Sequence, residues 1–251
     1  LKVIACCRIN DTTTSGFLCR KRVDVMKQHN NIYRPILNYI DRQETKRYAG
    51  LRKGKDFPEK LVDEACNTVM MLKEPQTVWA VYPYDFCNAC VQASEAYHIP
   101  GQSLRKHLSG ATQVIFLSAT VGEMVEQAAT NAFARGEYAL GMLIDAAATT
   151  AVEQTADELE RLLANKFAKL GFKMTFRFSP GYGDWDLSEQ DKVAKLANAE
   201  AIGVTLTESL MLMPRKSITA VIGLCPDIIE ETPSKGCNKC SKLDCSMRRD
   251  G

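Results

Sequence analysis

The spacing of apolar residues divides most of the chain into helix-like and strand-like stretches. Apolar positions that recur every three or four residues predict five helices, each with one buried face. Asp56 is the expected N-cap of the second helix, and Ser188 is the expected N-cap of the fifth. The predicted helices cover residues 36–48, 56–75, 121–136, 137–171 and 187–200.

Runs rich in β-branched and aromatic residues predict strands between these helices. Residues 172–178 alternate strictly, so we expect Met174, Phe176 and Phe178 on a buried face and Arg177 on the polar face. Strands joined by turns, with helices grouped elsewhere, favour an α+β fold with a twisted antiparallel sheet over a doubly wound parallel one. The predicted strands cover residues 76–83, 111–120, 172–178, 202–209 and 217–224.

The pattern also sets the expected domain boundaries. Residues 26–225 are predicted to form the α+β domain, and residues 226–251 a cysteine-rich tail. Residues 1–25 show no clear period, so we expect a disordered or mis-started extension with Met26 as the natural start. A flexible basic arm around residues 20–22 is the alternative.

Composition narrows the class of protein. The chain has 251 residues, of which 45% are hydrophobic, which is enough for a sizeable core. The 32 basic and 30 acidic residues give a net charge of +2, which provides no reason to expect nucleic acid or a membrane as a partner. We expect a cytoplasmic protein whose ten cysteines are thiols or metal ligands rather than disulfides.

Common catalytic motifs do not occur in the sequence. It contains no Walker loop, no GxGxxG, no GxSxG and no HExxH, which argues against a hydrolase or a kinase. His107 is expected to be a surface or capping histidine rather than a base, because no neighbour in sequence could orient its ring. No catalytic residue is therefore assigned.

The most specific stretch of the sequence is "RFSPGYGDW", residues 177–185. Arg177 offers a planar donor fork suited to a carboxylate, Gly181 allows a close turn, and Tyr182 presents an aromatic face. Such a loop could hold a small zwitterion. The alternative is a plain strand-to-helix turn in which Arg177 pairs with Asp184 or Asp186.

Together with the later "GVTLTESLMLMPRKSITAVIGL", this stretch resembles the reactivation (activation) domain of cobalamin-dependent methionine synthase in a stand-alone form. The resemblance is specific over residues 172–224. It is looser over residues 36–171, where "HLSGATQVIFLSATVG" and the alanine-rich helix containing Glu153 are similar to the family.

The resemblance implies site residues and a ligand. The family's Arg-x-x-x-Gly-Tyr motif, which binds S-adenosylmethionine, corresponds to Arg177, Gly181 and Tyr182. Its Thr-Glu-Ser motif places Glu208 where a carboxylate would offset positive charge. The chain departs from the family at Gly183, where the full-length enzyme has proline, and "SITAVIGL" lacks the family's paired tyrosine.

The implied function is that of an accessory protein. It would bind S-adenosylmethionine and support reductive methylation of the cobalamin on a methionine synthase that lacks its own activation domain. Methyl transfer to cobalt is a direct displacement, for which alignment matters more than acid–base groups. The alternatives are an iron–sulfur electron-transfer reactivator of another corrinoid methyltransferase, and a zinc-stabilised binding module.

The cysteines suggest a metal centre. Cys237, Cys240 and Cys245 supply three soft ligands within nine residues, and Cys225 is a possible fourth, for an iron–sulfur cluster or zinc. Reduced thiols on a frayed tail are the alternative.

Two further features of the sequence could serve electron transfer. Cys87 and Cys90 form a Cys-x-x-Cys pair that is either a redox or ligand pair, or two small side chains in a helical turn. Basic residues around the tail cysteines could dock an acidic electron donor, a flavodoxin or ferredoxin, or could simply be solvated.

Overall fold

The computed structural model describes residues 31–51 and 58–227. The expectations for residues 1–25, for Asp56 and for almost all of the tail lie outside these ranges. The helices are α1 Arg42–Tyr48, α2 Glu59–Leu72, α3 Gln102–His107, α4 Met124–Ala134, α5 Tyr138–Ala168 and α6 Gln190–Ala197, with 3-10 turns at Leu187–Glu189 and Ala199–Ile202.

The strands of the described residues form one large sheet and one small one, and every pairing is antiparallel. The large sheet has the order β4-β3-β2-β5-β9-β6, with β1 also paired to β2, and β7 and β8 form a separate hairpin. The α+β prediction is therefore confirmed. The strands are β1 Asn31–Tyr33, β2 Gln76–Asp85, β3 Cys90–Val91, β4 Tyr97–His98, β5 Gln113–Thr120, β6 Phe172–Met174, β7 Thr205–Leu206, β8 Leu212–Met213 and β9 Ser217–Pro226.

Both faces of the sheet are covered, as strand β5 shows. Ile115 and Leu117 pack towards α5, whereas Val114 and Phe116 pack with Trp185 and α6 on the opposite face. A strand buried on both faces needs apolar residues at every position rather than at alternate ones. This requirement explains the nearly continuous apolar run in β5. We call the side of the sheet that α5 covers the α5 face, and the opposite side, covered by α3 and α6, the α3 face.

Helix α5 supports the other helices. Helices α1, α2 and α4 pack along its N-terminal half around a common core of aliphatic side chains. Gly141 lets α4 approach closely, because a Cβ there would lie 2.9 Å from the ring of Phe133. The C-terminal half of α5 then crosses the sheet through Leu159, Leu163 and Phe167.

The first helix begins later than its apolar spacing predicts. Residues 36–40 are not helical, because Gln154 of α5 holds them by accepting a hydrogen bond from the Asp41 N–H and donating one to the Tyr39 carbonyl. The Asp41 carboxylate then accepts hydrogen bonds from the N–H groups of Gln43 and Glu44 and caps α1. The helix therefore starts at its cap, at Arg42.

The predicted cap of the fifth helix was also wrong. Asp186, not Ser188, is the capping residue, and its carboxylate accepts a hydrogen bond from the Ser188 N–H at 2.8 Å. The chain first makes a 3-10 turn over Leu187–Glu189 and then enters α6.

The described residues contain no helix that is long and apolar enough to cross a membrane.

Candidate functional site

A β-bulge lies at the start of the "RFSPGYGDW" stretch. Met174 pairs with Leu224, but Phe178 pairs with Val221, so four steps along one strand match three along its partner. The extra residue reverses the side on which each following side chain lies. The prediction that Met174 and Phe178 share a face was therefore wrong: Met174 packs on the α5 face and Phe178 on the α3 face.

The bulge places Arg177 against α5. Its Nη2 donates hydrogen bonds to Asp157 at 2.7 Å and Glu153 at 3.2 Å, and its Nε lies 3.6 Å from Glu160. The three acids recur at helical spacing and share one side of α5. The Arg177 side chain is only 14% exposed, and its Nη1 is buried without a hydrogen-bond partner among the described residues.

Sequence reasoning on turns assigned different partners to Arg177. Asp184 and Asp186 were the expected partners if the stretch were a plain turn, but both carboxylates are engaged elsewhere. The carboxylate partners on α5 lie 17 to 24 residues upstream, where an acidic stripe on an alanine-rich helix is the only signal in the sequence. That stripe alone does not reveal which strand covers it.

Beyond Arg177 the chain forms a compact turn. The Gly181 N–H donates to the Trp185 carbonyl at 2.7 Å, and the Tyr182 N–H donates to the Ser179 carbonyl at 3.1 Å. Gly181 has φ of +89°, a conformation that suits glycine. Tyr182 is 55% exposed and packs edge-on against Phe178, with ring centroids 5.8 Å apart. The loop therefore presents an aromatic face to solvent beside a braced arginine.

Asp184 joins this loop to helix α3. Its two carboxylate oxygens accept hydrogen bonds from the N–H groups of Gln102 at 2.6 Å and Ser103 at 2.9 Å. These hydrogen bonds favour the ionised form and hold the pKa of the Asp184 carboxyl below its usual range.

His107, at the other end of α3, is half-buried rather than on the surface. Its Nε2 lies 2.8 Å from the Phe176 carbonyl oxygen and 2.9 Å from the Thr175 hydroxyl oxygen. Because the carbonyl can only accept, we assign the proton to Nε2. Burial lowers the pKa of His107 to about 4. This contact could not be found from neighbours in sequence, because Phe176 lies 69 residues further along the chain.

Glu208 lies apart from the loop. It is exposed at the tip of the β7–β8 hairpin, and it forms no hydrogen bond or ion pair within residues 31–51 and 58–227. The neighbouring hydroxyls of Thr207 and Ser209 bond to each other at 2.9 Å. The structure thus brings Arg177, Gly181 and Tyr182 into one loop and places Glu208 on another.

The cysteine predictions are only partly within the described ranges. Cys237, Cys240 and Cys245 lie outside them, so the predicted metal centre stays a prediction. Cys225 is half-buried near the end of β9, its thiol donates to the Ser109 carbonyl at 3.8 Å, and burial raises its pKa. In the described part of the chain, no three His, Cys, Asp or Glu side chains are placed to hold a metal ion.

The Cys-x-x-Cys pair does not lie in a helical turn, which was one of its two interpretations. Cys87 is exposed in the turn between β2 and β3, and Cys90 is half-buried at the start of β3. Asp85 braces this turn by accepting hydrogen bonds from the backbone and side chain of Asn88.

Comparisons with known proteins concern the sequence of one segment and the overall fold. Residues 153–228, which contain the acidic stripe, the bulge and the loop, match the family model of the vitamin B12 dependent methionine synthase activation domain. A solved structure described as the MetH reactivation domain bound to AdoHcy is similar in fold. Its TM-score is 0.55 at 13% sequence identity, and the match covers 82% of this chain and 82% of that one. No curated protein matches the chain.

These two matches confirm the resemblance drawn from the sequence. The likeness to the solved structure concerns the fold, and the family match concerns the segment that carries the arginine loop. The chain therefore has the fold of the MetH reactivation domain, and over residues 153–228 it carries the sequence pattern of the vitamin B12 dependent methionine synthase activation domain.

Proposed function

We propose that this protein binds S-adenosylmethionine at the Arg177 loop and supports reductive methylation of cobalamin on a methionine synthase. The observation that carries the proposal is the state of Arg177 within the family-matched segment. Its guanidinium is held by α5, yet its Nη1 is buried without a partner in the described residues. A buried donor without an acceptor is costly, and a ligand carboxylate would satisfy it.

The remaining groups of the loop fit the same ligand. Tyr182 offers an exposed ring that can lie against a cationic sulfonium, and Gly181 leaves open space where a side chain would stand. Glu208, implied by the family pattern, would approach from the β7–β8 hairpin.

In this reaction the protein has to orient the bound ligand and does not have to transfer protons. Bound S-adenosylmethionine supplies a methyl group on a sulfonium, which is open to direct displacement. Arg177 would fix the amino-acid end of the ligand, and Tyr182 would fix the region of the sulfonium. A site of this kind works by alignment, so it needs no general acid or base.

The proposed partner is the cobalamin-binding module of a methionine synthase without its own activation domain, or of another corrinoid protein. Reductive methylation also needs an electron, for which an external flavodoxin or ferredoxin is the proposed donor. The family match and the fold support a role in cobalamin reactivation, and the partner and donor are inferred from that role.

Calorimetric titration with S-adenosylmethionine tests the binding step. Arg177→Ala should weaken binding by about 1.5 to 3 kcal/mol, roughly ten- to hundredfold, because a charge-assisted hydrogen bond is lost. Arg161→Ala is the matched control, since Arg161 also pairs with an acid of α5 but is 71% exposed. Equal affinities of wild type and Arg177→Ala would refute the site assignment.

A second experiment tests the reaction. The protein is mixed with a reduced cobalamin-loaded methionine synthase module, S-adenosylmethionine and a chemical reductant, and methylcobalamin is followed by its absorbance. The wild type should accelerate its formation, and Arg177→Ala should not. If binding is normal but no methylcobalamin forms, the ligand site stands and the proposed partner is wrong.

A further inference from the structure

The two ends of helix α3 contact the two ends of residues 176–184, which we call the ligand loop because they contain the proposed ligand-binding residues. At the start of the loop, the Phe176 carbonyl accepts a hydrogen bond from His107 Nε2 at 2.8 Å. At its end, the Asp184 carboxylate accepts the N–H groups of Gln102 and Ser103. The six residues of α3 therefore span the whole segment that contains Arg177, Gly181 and Tyr182.

The contact between His107 and Phe176 provides a hydrogen-bond donor for a backbone carbonyl at the bulge. Phe176 lies within the bulge between Met174 and Phe178, and its carbonyl oxygen accepts a side-chain hydrogen bond from His107. A backbone carbonyl that leaves a ladder needs another donor if water is excluded. His107 supplies the shorter hydrogen bond at 2.8 Å, and the Thr175 hydroxyl donates to the same oxygen at 3.3 Å. The His107 ring also packs on Phe176, with centroids 4.3 Å apart.

The second contact depends on two glycines. Gly101 has φ of +74°, and a Cβ there would lie 2.7 Å from the Asp184 Oδ1. Gly183 has φ of +57°, and a Cβ there would lie 2.8 Å from the Ser103 side chain. Proline, with φ near −65°, could not adopt the Gly183 conformation. The contact between the loop and α3 therefore favours glycine at both positions.

Contacts between aromatic rings connect His107 of α3 to Tyr182 through the ring of Phe178. The ring of Phe178 lies 5.0 Å from the ring of His107, 6.1 Å from that of Trp185 and 5.8 Å from that of Tyr182. Trp185 is 1% exposed, and its Nε1 donates to the Tyr97 hydroxyl at 3.2 Å. Tyr182 therefore rests on a ring that α3 and the core hold from two sides.

We propose that α3 sets the conformation of the ligand loop, with Asp184 and His107 as positioning residues for S-adenosylmethionine. Neither residue is inferred to touch the ligand. Each fixes the backbone on one side of Arg177 and Tyr182, so that these two groups face a common ligand. The proposal rests on the proposed function for the identity of the ligand but not for the conformation of the loop.

The test compares two aspartates that lie two residues apart. Asp184→Ala removes both hydrogen bonds to α3, whereas Asp186→Ala removes a comparable cap that does not involve α3. Asp184→Asn keeps one acceptor oxygen and should restore part of the effect. A second pair is His107→Ala against His107→Gln, because glutamine keeps an N–H donor for the Phe176 carbonyl.

Two readouts are taken from each variant. The first is the calorimetric affinity for S-adenosylmethionine. The second is the emission of Trp185 without ligand, in a Trp79→Phe background that leaves Trp185 as the only tryptophan. Thermal unfolding is followed in parallel to show that each variant is folded.

Asp184→Ala should weaken binding about tenfold and shift the Trp185 emission to longer wavelength, and Asp186→Ala should change neither. The proposal is overturned if Asp184→Ala binds and emits as wild type, or if Asp186→Ala has the same effects. If the wild type does not bind S-adenosylmethionine, the proposed function fails, and the emission of the two aspartate variants still decides whether α3 positions the loop. If Asp184→Ala does not fold, the His107 pair decides the question with the same readouts.

Discussion

The Nη2 atom of Arg177 lies 2.7 Å from the Oδ1 atom of Asp157, across the interface between the bulged strand and helix α5. Glu153 and Glu160 approach the same guanidinium, so one cation meets three carboxylates. Such a cluster holds Arg177 in one orientation. It also makes the stability of this region depend on the positive charge of Arg177.

The first prediction concerns this cluster. Arg177→Ala should lower the free energy of unfolding by about 1 to 3 kcal/mol, because three neighbouring carboxylates lose their counter-charge. Asp157→Asn alone should cost about 1 kcal/mol or less, since the Asp157 side chain is 44% exposed. Urea unfolding of both single variants and the double variant gives the coupling between the two residues.

We expect the double variant to lose less free energy of unfolding than the sum of the two single losses. Once Arg177 is gone, removing one carboxylate relieves repulsion between the carboxylates. Strict additivity would show that the two residues do not interact in solution. The Arg161→Ala variant, with an exposed pair on the same helix, should leave the free energy of unfolding almost unchanged.

The second prediction concerns pH and His107. The His107 pKa is about 4 in the folded protein and about 6.5 in an unfolded chain, so the unfolded chain binds more protons between these values. The free energy of unfolding should therefore fall as the pH falls from about 6.5 to 4, by about 2 to 3 kcal/mol from this residue, and level off below.

Urea unfolding at several pH values measures this slope, and His107→Gln is the comparison. The variant cannot titrate at this position, so the difference between the two curves isolates His107 from other groups. Identical slopes between pH 4 and 6.5 would mean that folding does not lower the pKa of His107.

The third prediction concerns Trp185. Trp185→Phe should lower the free energy of unfolding by about 1 to 3 kcal/mol, because it leaves a void beneath the loop and removes the donor to the Tyr97 hydroxyl. Tyr97→Phe, which removes only the hydroxyl, should cost about 1 kcal/mol. Thermal unfolding monitored by circular dichroism compares them. A larger cost for Tyr97→Phe would place the stabilisation in the hydrogen bond rather than in packing.

The fourth prediction concerns the tail cysteines, which the sequence alone supports. Protein purified without oxygen should contain either iron with acid-labile sulfide or zinc, and Cys240→Ser should lose most of it. Cys66→Ala is the control, because Cys66 is buried between α2 and the core and is not a proposed ligand. Wild-type protein without either element would mean that the tail holds reduced thiols.

The sequence predicts elements well where a long period reflects burial. Strand β5 is recognisable because seven of its eight residues are buried in one continuous run, and the C-terminal half of α5 because its buried residues recur every three or four positions. Strands β3 and β4 are each two residues long and show no period. They exist because β2 extends to Asp85 and offers a partner edge, which the local sequence does not show.

The candidate site follows the same division. Arg177, Gly181 and Tyr182 form a local motif, so their spacing in sequence already placed them in one loop. The partners of that loop are distant in sequence: the carboxylates of α5 and the two ends of α3. Because these contacts depend on how strands and helices pack, the residues of the loop alone could not predict them.

The bulge at Phe176 has a consequence for comparing related chains by sequence. Which side of a sheet a residue occupies is a matter of parity, and one inserted residue changes odd to even for everything after it. A relative without the bulge would keep the counterparts of Arg177 and Phe178 on their present sides only if its chain were one residue shorter between the counterparts of Met174 and Arg177. The number of residues in this short interval therefore says more about the orientation of the corresponding arginine in a relative than the identity of those residues does.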